Sequence, residues 1–141
     1  MVAYFDSSVL LSVLLNDSNA EQAANLWAKH TERLSSVLFE IECLTVLRRS
    51  VRQKTGLPKG WLSVSENRLA NYLDQISLRT INGEITDYVK HKFTKTIARS
   101  LDVIHVATAL FFQSRALTPI KFITFDKEQA NCAKAMGLLL F

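Results

Sequence analysis

The segments VAYF at 2–5 and KFITF at 121–125 are apolar at almost every position, and each is followed at once by an aspartate, Asp6 and Asp126. A strand with one solvated face alternates polar and apolar residues. A run without that alternation belongs to a strand covered on both faces, as in a parallel sheet between two layers of helices. Further short apolar or β-branched runs predict strands at 33–37 (RLSSV), 77–81 (SLRTI) and 138–141 (LLLF). Helical patterns fill the intervals: 20–29 behind an Asn19 cap, then 37–52, 59–75, 84–98 and 101–115, with a last short helix after Asp126. Strands alternating with helices imply βαβ units and an α/β three-layer sandwich. The only clear punctuation, TGLPKG at 55–60, is too short for a domain linker, and 141 residues with 48% hydrophobic content suit a single domain over 1–141. There is no internal repeat and no low-complexity tract.

Several classes are excluded by composition. No apolar stretch approaches the roughly 20 residues of a membrane helix, and no basic n-region precedes an apolar segment as in a signal peptide. The expectation is therefore a cytoplasmic protein without a membrane partner. Cys43 and Cys132 stand far apart with no zinc-ligand spacing, which reads as buried thiols in a reducing compartment. Seventeen Lys and Arg against 13 Asp and Glu give a net charge of +4, mild evidence for a polyanionic partner.

In an open parallel sheet, ligands bind beyond the carboxyl ends of the strands, where Asp6 and Asp126 would stand. Each has an ordinary alternative role as a helix N-cap, before SSVLLSVLL and KEQANCAKA respectively. Two carboxylates at neighbouring strand ends would repel, however, unless a cation or a shared proton offsets the charge. Asp102, in ARSLDVIHVATALFF, begins an otherwise apolar helix, where the helix dipole favours an acid. His105 lies one turn on and is a ligand, a partner for Asp102, or a core histidine; a core or supporting role is preferred. The helix over SSVLFEIECLTVLRRSVRQK offers both Glu40 and Glu42. Glu42 shares a stripe with Thr45, Arg49 and Arg52, whereas Glu40 shares one with Leu44, Leu47 and Val51.

The strand-end DSS at 6–8, the spacing from Ser36 to Glu42, SLDVIHVATAL at 100–110, and FITFDKE followed by GLLLF together resemble PIN-domain ribonucleases. More narrowly the chain is similar from end to end to the VapC toxins of bacterial and archaeal toxin–antitoxin pairs. The resemblance implies a five-stranded parallel sheet in the order 3-2-1-4-5, and an acidic metal site built from Asp6, Glu42, Asp102 and Asp126. It chooses Glu42 over Glu40 by the distance from Ser36, and gives Ser7, Thr124 and His105 supporting places. It further implies an endoribonuclease that leaves 5′-phosphate and 3′-hydroxyl ends and inhibits translation, with a small antitoxin partner and a homodimeric state. An all-carboxylate ligand set suits Mg²⁺ or Mn²⁺ and disfavours zinc. The alternatives are a non-toxin PIN nuclease of RNA processing, with the same acids, and a non-catalytic binding module, which would lack one of them. A haloacid-dehalogenase phosphatase needs DxD, and Asp6 is followed by Ser7 and Ser8.

An acidic site needs basic surroundings to hold RNA. From Cys43 to Ser65 the chain contains Arg48, Arg49, Arg52, Lys54 and Lys59 and no acid, the best candidate for RNA docking. The plainer alternative is a solvated helix end whose charges complement the dipole. Lys90, Lys92, Lys95 and Arg99 form a second strip leading to Asp102. Trp27 and Trp61 are read as helix-packing residues rather than base platforms, and their helices as candidate homodimer or antitoxin surfaces.

Overall fold

The computed structural model describes residues 1–141. Five strands, β1 (Val2–Phe5), β2 (Glu32–Ser36), β3 (Ser77–Arg79), β4 (Lys121–Ile123) and β5 (Leu139–Leu140), form one sheet in the order β3-β2-β1-β4-β5, all parallel. Seven helices connect them: α1 (Ser7–Leu15), α2 (Ala20–Lys29), α3 (Leu38–Gln53), α4 (Trp61–Leu73), α5 (Gly83–Lys92), α6 (Ser100–Gln113) and α7 (Lys127–Ala135). The α/β sandwich and its strand order are those expected. No helix is long and apolar enough to cross a membrane.

The apolar run at the N-terminus is explained by two cores, one on each sheet face. Ala3 and Phe5 of β1 pack with side chains of α1, α2, α3 and α4, while Tyr4 between them packs with α5, α6 and α7. Trp27 is internal to the first core, its ring 5.0 Å from that of Phe5 and 5.3 Å from that of Tyr72, and its Nε1 donates to Gln75. Trp61 packs partly buried against the same core. Both cysteines are buried and unpaired.

Two elements depart from expectation. The helix α1 entered the reading only as the segment Asp6 would cap, because nine residues as apolar as SSVLLSVLL show no polar face to give it away. The fifth helix stops at Lys92 instead of 98: in FTKTIAR only Phe93 is buried, so no periodic apolar face rewards continuing, and Thr94, Thr96 and Ile97 are poor helix formers. The remaining boundaries shift by three residues or fewer, β3, β4 and β5 being shorter than their apolar runs.

Candidate active site

At the carboxyl end of β1, the backbone N–H of Asp6 still donates to Ile123 of β4 at 3.0 Å, which brings the two aspartate-bearing strand ends side by side. Asp6 occupies the N-cap position of α1, yet its side chain makes no capping bond. Its Oδ2 instead accepts from the hydroxyls of Ser8 at 2.6 Å and Thr124 at 2.8 Å, and its Oδ1 from Ser7 at a longer 3.3 Å. Those hydroxyls are themselves held: Ser8 accepts from the Phe125 N–H and Thr124 from the Asp126 N–H, both at 3.0 Å. A carboxylate that is 3% exposed is thus fixed between β1 and β4 by short charge-assisted bonds. Thr124 stands where the sequence placed it. Ser8 has the shorter contact and was passed over for Ser7, although the DSS triplet offered both.

Across from Asp6, the α3 helix presents Glu42, whose Oε1 meets Nε2 of His105 at 2.5 Å. The same nitrogen lies 3.8 Å from Asp6 Oδ1, and one ligand atom from each of Asp6, Glu42 and His105 fits within 4.8 Å of the others. His105 is fully buried and its Nδ1 lies 2.7 Å from the hydroxyl of Tyr4. The suggestion that His105 pairs with Asp102 is therefore replaced: its partners are Glu42 and Tyr4, because α6 turns this residue toward β1 and α3. Burial pushes the imidazole down, but the bond to Glu42 and the charges of Asp6, Glu42 and Asp102 outweigh it and raise it above its ordinary value. Burial and the neighbouring carboxylate charges hold the Tyr4 phenol above its ordinary range, so it stays protonated. Tyr4 carried no signal of this in the sequence beyond its place in an apolar strand. Glu40 forms no ion pair and no hydrogen bond, whereas Glu42, on the polar stripe, meets His105 at this cluster.

Asp102, in the first turn of α6 and 8% exposed, accepts from the Gln129 side-chain amide at 3.2 Å. Burial raises its carboxyl first, and the charges of Asp126 and Asp6 raise it further. Asp126 does cap α7, accepting from the Gln129 N–H at 3.1 Å. Gln129 thus ties the two acids together, through its backbone to one and its side chain to the other, and its Oε1 is buried without a partner. The signal for it was present: D-x-x-Q across a helix start is the capping-box spacing. The charges of Asp126 and Asp6 both reach Asp102, and Asp6 also belongs to the cluster with Glu42 and His105, so Asp6 links the two groups of acids. Such a set of carboxylate oxygens fits a hard divalent cation that accepts oxygen ligands.

Of the basic residues, Arg48 is ion-paired with Glu66 at 2.7 Å, an acid just beyond the stretch that lacks them. Arg49, Arg52 and Lys54 are exposed and have no acidic partner.

No curated protein matches the sequence. Among solved structures, a toxin–antitoxin complex from Klebsiella pneumoniae superposes with a TM-score of 0.63 at 18% identity, covering 90% of this chain and 88% of that one. VapBC2 from Rickettsia felis, bound to a DNA fragment from its promoter, gives 0.69 at 13% identity over 100% of this chain and 98% of that one. At these identities the likeness is one of fold. The PIN domain family matches residues 3–135, nearly the whole chain and all four acids. This protein belongs to the PIN domain family.

Proposed function

We propose that the chain is a metal-dependent endoribonuclease, the toxin of a VapBC-type pair, that stops translation by cutting RNA. The observation that carries this reading is the Asp6 carboxylate. It sits at a strand end, is held by Ser8 and Thr124 rather than spent on capping, and faces Glu42. Asp6, Glu42, Asp102 and Asp126 would hold Mg²⁺ or Mn²⁺. A cation bound by such a set acidifies a coordinated water and offsets charge building on a phosphate.

The chain's own residues supply the rest. Ser8 and Thr124 fix the Asp6 oxygens, and His105 holds one oxygen of Glu42, so neither acid must reorganise when substrate arrives. Gln129 sets Asp102 against Asp126. The unpaired Arg49, Arg52 and Lys54 would grip the phosphate backbone, giving affinity without sequence preference, and Arg48 would contribute less because Glu66 engages it. The toxin role is supported by the two structural neighbours, a toxin–antitoxin complex and VapBC2. With it come a small antitoxin partner, a homodimeric state and a cytoplasmic location. A non-catalytic module would lack part of the acid set, and all four are present.

RNA ends sequenced after brief induction of the wild-type chain, beside an Asp6→Asn control, test activity and target together. Discrete new 5′ ends that vanish in the control are expected, and identical profiles would refute the proposal.

A further inference from the structure

A cavity of about 660 Å³ lies between the 93–99 segment and α7 and belongs to none of the groups described above. We propose that it is a subsite for one unstacked nucleotide of the RNA, with the base inside and its phosphate on Lys95 and Arg99. This rests on the ribonuclease reading and names the form of substrate that reading leaves open.

Position is the first support. One wall ends at Arg99, three residues before Asp102, and the other begins at Glu128, two residues after Asp126. A chain running over the acids therefore passes this opening next. Chemistry is the second. The lining mixes apolar groups, among them Phe93, Ala135 and Met136, with Asn131 and the cations of Lys92, Lys95 and Arg99. None of those cations is engaged by an acid, and Glu128 is the one acid in the lining. Apolar walls suit the faces of a planar base, Asn131 can donate to and accept from a base edge, and uncompensated cations suit a phosphate. The volume falls within the range of about 300–1,000 Å³ typical of small-ligand cavities, which accommodates one nucleotide and no duplex. A base can enter only if it has left its stack, so the preferred substrate is a loop or single strand. The docking residues on α3 touch phosphates and carry no sequence information, and this cavity would supply what they lack.

Ala135 gives the means of testing it. It lines the cavity from the exposed side of α7, so Ala135→Phe fills the space without changing charge or disturbing an acid. Isotopically labelled protein without metal is titrated with AMP, GMP, CMP, UMP and, as a control lacking a base, ribose 5-phosphate. At least one nucleotide should move the amide signals of 93–99 and 131–136 and bind about tenfold more tightly than ribose 5-phosphate, as a stacked base contributes. Ala135→Phe should abolish that preference and raise KM for a single-stranded RNA by about the same factor, with kcat nearly unchanged. Should this variant misfold, Asn131→Ala serves, with a smaller loss expected. Failure of all four nucleotides to exceed ribose 5-phosphate overturns the inference, as does an Ala135→Phe protein that binds and cleaves like wild type. So does a response to the peptide acetyl-Asp-Leu-Phe-Glu-Asp-amide with none to a nucleotide, which would assign the cavity to a protein partner. RNA cleavage without nucleotide binding removes the subsite and leaves the ribonuclease. Nucleotide binding by a chain that cleaves no RNA removes the ribonuclease and keeps the site.

Discussion

Replacing Tyr4 with Phe should weaken both the fold and the active site through a single hydroxyl. The ring itself is retained, stacked on Phe122 at 5.2 Å with 7° between planes, so no cavity opens in the core. What is lost is the bond of 2.7 Å to His105 Nδ1, between two side chains with no exposed surface. A buried nitrogen left without a partner costs about 1–3 kcal/mol. At about 2–4 °C per kcal/mol for a chain near this size, Tm should fall by roughly 2–12 °C in EDTA. His105 would then be steered only by Glu42, and loss of such support around a metal site typically costs about 10–100-fold in activity or metal affinity. Thermal melts with and without Mg²⁺, combined with initial cleavage rates, read both effects. A double-mutant cycle with Glu42→Gln should show coupling of about 0.5 kcal/mol or more. A Tm within about 1 °C of wild type together with an unchanged rate would refute the chain from Tyr4 through His105 to Glu42.

Asp6→Asn should raise the metal-free Tm by about 2–4 °C, because it removes a charge that acts on Asp102 while its amide oxygen can still accept from Ser8 and Thr124; a clear drop would assign Asp6 a structural role. Asp102 and His105 are both raised in the folded protein, so each contributes stability present below its ordinary value, 3.8 and 6.5 respectively, and lost as pH climbs through the raised one. In EDTA, Tm relative to Asp102→Asn should thus decline as pH rises from that first value, and a flat difference would contradict the repulsion. Arg49→Gln with Arg52→Gln should weaken RNA binding and reduce its salt slope by up to about two phosphate contacts without changing metal affinity. If RNA binding is unchanged but antitoxin affinity falls, these arginines hold the partner instead, and if neither changes they are ordinary solvated residues.

How much of this was visible beforehand depended on whether a residue's role is local. The sheet order was implied by family likeness, while the two-sided burial of β1 was legible in VAYF itself, where neither face carries a polar residue. Glu42 separated from Glu40 because helical spacing is fixed by the backbone. Asp126 caps α7, as its place before KEQANCAKA suggested, and its charge also acts on Asp102, a pairing that no spacing in the chain announced. Tyr4 could not be found: its partner is 101 positions away, and nothing in an apolar strand marks one hydroxyl as half of a buried pair. The ion pair of Arg48 was equally hidden, its acid Glu66 lying on the next helix. The 93–98 segment reads as helix in the sequence because its charges mimic an amphipathic pattern that its burial does not follow.

The central claim is that four acids together support hydrolysis of RNA. Its most direct test is cleavage of an end-labelled single-stranded RNA by purified protein across a Mg²⁺ titration, with 5′-end chemistry read on the products. Wild type should cleave in proportion to bound metal, stop on addition of EDTA, and leave 5′-phosphates. Asp6→Asn, Glu42→Gln, Asp102→Asn and Asp126→Asn should each stay folded and lose this activity, while Glu40→Gln retains it. Cleavage that persists in EDTA, products ending in 2′,3′-cyclic phosphate, or activity that survives at Glu42→Gln but not at Glu40→Gln would contradict the account.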